Sequence, residues 1–129
     1  MKRGPVSDVV LLAHMRECVE RISEYTNADR GTFDSSRLVQ DAVVRNLQIL
    51  TESSQRLSEE IKAAESQVPW RELSGFRNIL VHGYLGIDLV AVWTVVEQDI
   101  PGLAAAINRM MKWAANPTSP AGKSAPPPP

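Results

Sequence analysis

The chain has 129 residues, enough for one modest domain and too few for two, and 43% of them are hydrophobic, which suffices for a single core. Fourteen Lys and Arg face fifteen Asp and Glu, a formal charge of −1, so no global basic field draws in nucleic acid or an anionic membrane, and any polyanion site has to be local. A lone cysteine, Cys18, excludes an internal disulfide.

Helical periodicity dominates from the start. Ser7 or Asp8 is placed to cap a first helix whose apolar stripe runs through Leu11, Met15, Cys18, Ile22 and Tyr25. Cys18 lies within that stripe and reads as a buried, inert thiol, and His14 on the same helix reads as structural. A turn is expected from Asn27 to Thr32, around Gly31. Asp34 or Ser35 then opens a second helix carrying Val39, Val43, Leu47 and Leu50, with helical character continuing through Leu57 and Ile61. Within it, Arg45 and Asn46 interrupt an apolar stretch and read as structural support, although either can reach a neighbouring cleft.

Pro69 suits the first turn of a third helix bearing Trp70, Leu73, Phe76 and Leu80, with Gly83 as its terminator and Trp70 as a core anchor. Asp88 caps a last helix whose residues Leu89, Trp93, Val96, Ile100, Leu103, Ile107 and Met110 alternate steps of four and three, the pattern of a bundle seam. Pro101 lies inside it, lacks the amide that would bond Glu97, and predicts a bend rather than a stop. No alternating β-branched run meets a hairpin signal, so the expected fold is all-α, an antiparallel bundle of four or five helices over residues 1–115. Residues 116–129, NPTSPAGKSAPPPP, are expected to form a disordered Pro-rich tail. No apolar run approaches the ~20 residues needed to span a bilayer, and the N-terminal residues have no signal-peptide pattern, so the expected location is the cytoplasm without a membrane anchor.

The chemistry concentrates in RNILVHGY, Arg77 to Tyr84. Asn78 and His82 lie one turn apart on a shared face, and Arg77 is offset from His82 by about 140° at 100° per residue, within reach of a long side chain. Spacing alone is equally compatible with a helix that merely solvates its outer side.

Beyond this segment, the passages QDAVVRNLQIL (Gln40 to Leu50), VPWRELSGFRNILVHGY (Val68 to Tyr84), GIDLVAVW (Gly86 to Trp93) and EQDIPGL (Glu97 to Leu103) resemble, in order, the HepT toxins of the HEPN superfamily. The resemblance covers about Val9 to Met110. That family's signature, Arg, four residues, His, one residue, Tyr, is met by Arg77, His82 and Tyr84, with Asn78 beside the arginine. The resemblance implies a dimerising helical bundle, a ribonuclease acting as toxin, and an antitoxin of the minimal nucleotidyltransferase type that adenylylates Tyr84. It gives Arg77 and His82 catalytic roles, and leaves Asn78 to position the phosphate or His82. RNA is the expected substrate, and neither cofactor nor metal is expected. The alternative is a non-catalytic nucleotide-binding or adaptor subunit of a nucleotidyltransferase complex.

Overall fold

The computed structural model describes residues 7–83 and 86–115. Seven α-helices follow in order: α1 Asp8–Thr26, α2 Arg30–Ser35, α3 Arg37–Arg56, α4 Glu59–Ala63, α5 Trp70–His82, α6 Leu89–Thr94 and α7 Ile100–Ala115. No strand occurs among the described residues, and the fold is an all-α bundle. α1 packs between α3 and α7, while α5 lies on the far side of α3. The core is built from Leu12, Met15 and Ile22 of α1, Val43, Leu47 and Leu50 of α3, and Leu103, Ile107 and Met110 of α7. Phe33 of α2 is fully buried, with its ring 5.3 Å from that of Trp93. Most residues of the stripes anticipated on α3 and α7 are therefore members of this core.

Local chemistry sets the boundaries. Ser7 caps α1 by accepting from the Val10 amide, which frees Asp8 to accept from both the amide (2.9 Å) and the hydroxyl (2.7 Å) of Ser58 and so to tie α1 to the start of α4. The buried stripe of α1 ends on Thr26, four residues after Ile22, and leaves Tyr25 37% exposed, contrary to the sequence expectation. His14 is likewise exposed, and no packing role falls to it. Cys18 is buried, and desolvation pushes its thiol pKa up, as an inert core thiol requires.

The expected turn from Asn27 to Thr32 is shorter than anticipated. Only Asn27 and Ala28 leave helical geometry for the left-handed region, at φ 53° and 54°. Asp29 then caps α2 through the Thr32 amide (2.9 Å) and hydroxyl (3.0 Å). The long helix α3 is capped not by Asp34 or Ser35 but by Ser36, whose hydroxyl accepts from the Val39 amide. Extended backbone at Leu57 and Ser58 separates α3 from α4, so Ile61 belongs to a separate short helix.

Trp70 anchors a loop. Its indole N–H donates to the carbonyls of Lys62 and Glu65, and the Glu65 carboxylate receives Arg109 of α7 at 2.8–3.2 Å and the Gln67 amide. The Arg109 hydrogen bonds hold the Glu65 carboxyl below the ordinary glutamate range. Pro69 stands one residue before α5 as its cap and carries no side-chain capping bond.

From Leu89 to Ala115 the helix is continuous for 27 residues. Its middle, Val95–Asp99, is π-helical, with the Ile100 amide bonded to the Val95 carbonyl five residues back. That widened turn directly precedes Pro101, whose ring would crowd an ordinary helical turn, so the helix passes the proline without stopping. By length and composition alone, with a mean hydropathy of 1.3 over its most apolar stretch, this helix could cross a membrane. The interruption of its apolar residues by Glu97 and Asp99 concealed this in the sequence. Ile100, Leu103, Ile107 and Met110 are buried in the core, and 33% of that apolar stretch is buried in all.

Candidate active site

α5 presents the motif because its other side is committed to packing. Leu73, Phe76 and Leu80 are buried against the bundle, which turns Asn78 and His82 outward and leaves Arg77 at the margin facing α3. Arg77 is fixed there: its Nη2 donates to Oε2 of Glu52 at 2.8 Å, and its Nη1 to Oδ1 of Asn78 at 3.3 Å. Its Nε is buried and has no partner among the described residues. Guanidinium and carboxylate are both partly exposed, 30% and 46%, so the pair orients the arginine more than it stabilises the fold.

Glu52 was missed by the sequence reading. The signal was present as a polar stripe on α3, Asp41, Arg45, Gln48 and Glu52, spaced by four, three and four in a helix that is otherwise apolar on its inner side. Two of these residues contact α5, since the Gln48 amide donates to the Leu80 carbonyl at 3.3 Å. That bond takes up a last-turn carbonyl of α5 and fixes the end of the helix that carries His82. His82 is exposed on the last turn, five residues and about 7.5 Å of helix rise from Arg77. Asn78 meets Arg77 directly, whereas no hydrogen bond joins it to His82. Asn46 is buried on α3, where its Nδ2 donates to the Ala42 carbonyl at 2.9 Å and its Oδ1 has no partner among the described residues.

Gly83 ends α5 at φ −92°, an angle open to any residue, so its conformational freedom is not what the site requires. Space is. A Cβ there would lie 2.8 Å from the Ile79 carbonyl oxygen and 2.8 Å from Cγ1 of Ile87. The chain closes over this point with the Gly86 amide donating to the Gly83 carbonyl at 2.9 Å, and Asp88 caps α6 through the Val90 and Ala91 amides. Between α3 and this turn lies a cleft of about 630 Å³, walled by Arg37, Asp41, Arg45 and Gln48 on one side and by Gly83 and Gly86 on the other. Tyr84 and the tail 116–129 lie outside the described residues. Among the described residues no three His, Cys, Asp or Glu side chains cluster as metal ligands would.

Comparison with known proteins places this geometry in a family. The model of the family described as Ribonuclease HepT-like matches residues 15–110, which include both the bundle core and the α5 motif. A Methanocaldococcus jannaschii protein, named as a gamma-glutamylcyclotransferase joined to a candidate RNase, is 36% identical over 104 residues, 80% of this chain. The chain spans about half of that relative, 47% of its length. A second candidate RNase of M. jannaschii is 35% identical over 86 residues, covering 66% of this chain and 79% of its own. The probable ribonuclease HepT of Thermococcus cleftensis is 32% identical over 102 residues, 78% of this chain and 93% of its own. No solved structure matches. With the family match covering residues 15–110 and relatives aligned over most of the domain, this chain belongs to the HepT-like ribonuclease family.

Proposed function

We propose that this ribonuclease is an endoribonuclease that cuts RNA without a metal, and that it is the toxin of a toxin–antitoxin pair. The observation that carries the reading is the α5 motif: a guanidinium held in place by Glu52 and Asn78, and an exposed imidazole on the same helix, beside an open cleft. RNA carries its own nucleophile. The 2′-hydroxyl attacks the adjacent phosphorus, the P–O2′ bond forms as the P–O5′ bond breaks, and the products are a 2′,3′-cyclic phosphate and a free 5′-hydroxyl. His82 accepts the 2′ proton, and a protonated imidazole returns one to the departing 5′ oxygen. Arg77 stabilises the charge that builds on the equatorial phosphate oxygens, and Asn78 keeps its fork in place. Each chain has only one histidine at the motif, so a symmetric homodimer provides the second. The exposed His82 imidazole and the oriented Arg77 guanidinium are the groups that offer this acid–base route.

The family resemblance extends the reading to regulation. A nucleotidyltransferase antitoxin transfers adenylyl groups from ATP to the Tyr84 hydroxyl, releasing pyrophosphate. Tyr84 is two residues from His82 in the chain, so the added phosphate and base compete with RNA for Arg77 and repel the polyanion. A toxin with an RNA target acts in the cytoplasm. Co-expression with the nucleotidyltransferase is expected to add one or more adenylyl masses to the Tyr84 peptide and to restore growth. Tyr84→Phe is expected to remain toxic. Full neutralisation of Tyr84→Phe would overturn the switch while leaving the nuclease intact. Absence of any cleavage of labelled RNA by purified dimer would favour a non-catalytic adaptor subunit instead.

A further inference from the structure

The cleft beside Gly83 adjoins the motif, yet none of the side chains lining it takes part in the chemistry described so far. The composition demands that any polyanion site be local, and here two guanidinium groups, Arg37 and Arg45, line one cavity with a single opposing carboxylate, Asp41. Both arginines are exposed. Arg37 has no partner among the described residues, and Arg45 makes only one long bond, Nη1 to Oε1 of Gln48 at 3.4 Å. Almost all their donors are therefore open to a ligand.

The placement of Arg37 is itself unfavourable for the helix. It is the first residue of the 20-residue helix α3, where a cation opposes the macrodipole, and the first turn contains no acidic residue to balance it. The same helix end adds its own attraction for an anion. Arg37 and Arg45 are eight residues apart, about 12 Å along the axis, a span longer than one internucleotide step. Gln48 closes the line by bonding the Leu80 carbonyl, and Gly83, the residue after His82, forms the opposite wall. The cleft therefore reaches the C-terminal end of α5, one residue beyond His82, while Arg77, Asn78 and His82 themselves lie outside its walls.

We infer that this cleft holds the RNA strand flanking the scissile phosphate, with Arg37 and Arg45 each neutralising one backbone phosphate and Asp41 between them accepting a hydrogen bond from the intervening nucleoside. The assignment rests on the nuclease reading for its placement beside the reaction, and binding measurements test it separately. Anisotropy of a 5′-labelled single-stranded RNA, titrated with His82→Ala chain at several salt concentrations, gives affinity without cleavage. Adding Arg37→Ala or Arg45→Ala to that background is expected to weaken binding severalfold and to flatten the dependence of log K on log salt by about 0.7 for each arginine removed. In the cleaving chain the same substitutions are expected to raise KM more than they lower kcat. Arg21→Ala, on α1 and outside the cleft, is expected to change neither. Since both cleft arginines are exposed, circular dichroism should show unchanged helix content, and Arg→Lys should restore most of the salt dependence. If the Arg37→Ala/Arg45→Ala pair bound RNA with unchanged affinity and salt dependence, the subsite would be wrong and the catalytic assignment untouched. If His82→Ala cleaved RNA like the unmodified chain, the catalytic assignment would fall, and anisotropy would still decide whether the cleft binds RNA.

Discussion

Under the proposed mechanism, Gly83→Ala should couple a steric clash in the fold to the rate of RNA cleavage. The new Cβ would sit 2.8 Å from a backbone oxygen of α5 and 2.8 Å from Cγ1 of Ile87, whereas ordinary contact begins at 3.4 Å. Relief requires a displacement of about 0.6 Å. The Ile79 carbonyl belongs to the helix and cannot give alone, so the last turn of α5, the chain entering α6, or both must shift. Overpacking of this kind costs about 1–3 kcal/mol, which for a domain near a hundred residues is roughly 5–20 °C in melting temperature. The shifted turn carries His82. Because misplacement of a reacting group by about 1 Å costs on the order of a hundredfold, a shift of 0.6 Å should slow single-turnover cleavage about tenfold or more. Gly75 supplies the control within the same helix. A Cβ there meets nothing within 4 Å, so Gly75→Ala should stabilise by about 0.5–1 kcal/mol through reduced unfolded-state entropy and leave cleavage unchanged. Thermal melts and single-turnover kinetics on both variants decide the matter. Equal melting temperatures and equal rates for Gly83→Ala and the unmodified chain would refute the steric argument.

Three further outcomes follow from the packing and the charges. Arg77→Ala and His82→Ala should each reduce cleavage by a hundredfold or more. Melting should separate them, since His82 is exposed and should not move it, while loss of the half-exposed Arg77–Glu52 pair should lower it by at most a few degrees. Ala28→Gly removes a Cβ from a residue at φ 54° and should stabilise the domain by about 1 kcal/mol, read as a higher melting temperature. Arg109→Ala should lower the melting temperature by several degrees at neutral pH. Arg109 depresses the Glu65 carboxyl, so its contribution is fully present above the ordinary value of 4.5, is lost as pH falls through the lower folded value, and the two chains should converge under strong acid. A pH series of melts in which the gap widened toward acid would contradict this.

Long, periodic helices were legible in the sequence because burial on one face imposes a 3.6-residue repeat, and the stripes of α1, α3, α5 and the last helix show it. The short elements were not. α2 and α4 are too brief to show periodicity, and their presence depends on caps whose partners lie nearby, the Asp29 carboxylate on Thr32 and the Ser58 hydroxyl on Ile61. Tyr25 was misplaced because the α1 stripe could step by three or four from Ile22, and only packing chose Thr26. The motif on α5 was visible as residue types at a spacing. Its environment was not, because Glu52 and Gln48 lie 25 and 32 residues from their α5 partners and are brought there only by the packing of α3 on α5. Gly83 was legible as a helix end, whereas its need for clearance from Ile79 and Ile87 was not.

In the proposed function this chain cuts RNA with its own side chains, His82 and Arg77, and no metal. Its most direct test is to incubate purified chain with end-labelled RNA in excess chelator and to identify the new termini, beside His82→Ala treated identically. The expected result is cleavage that chelator does not diminish, 2′,3′-cyclic phosphate and 5′-hydroxyl ends, and no cleavage by His82→Ala. Cleavage abolished by chelator and restored by a divalent cation, or undiminished in His82→Ala, would contradict it.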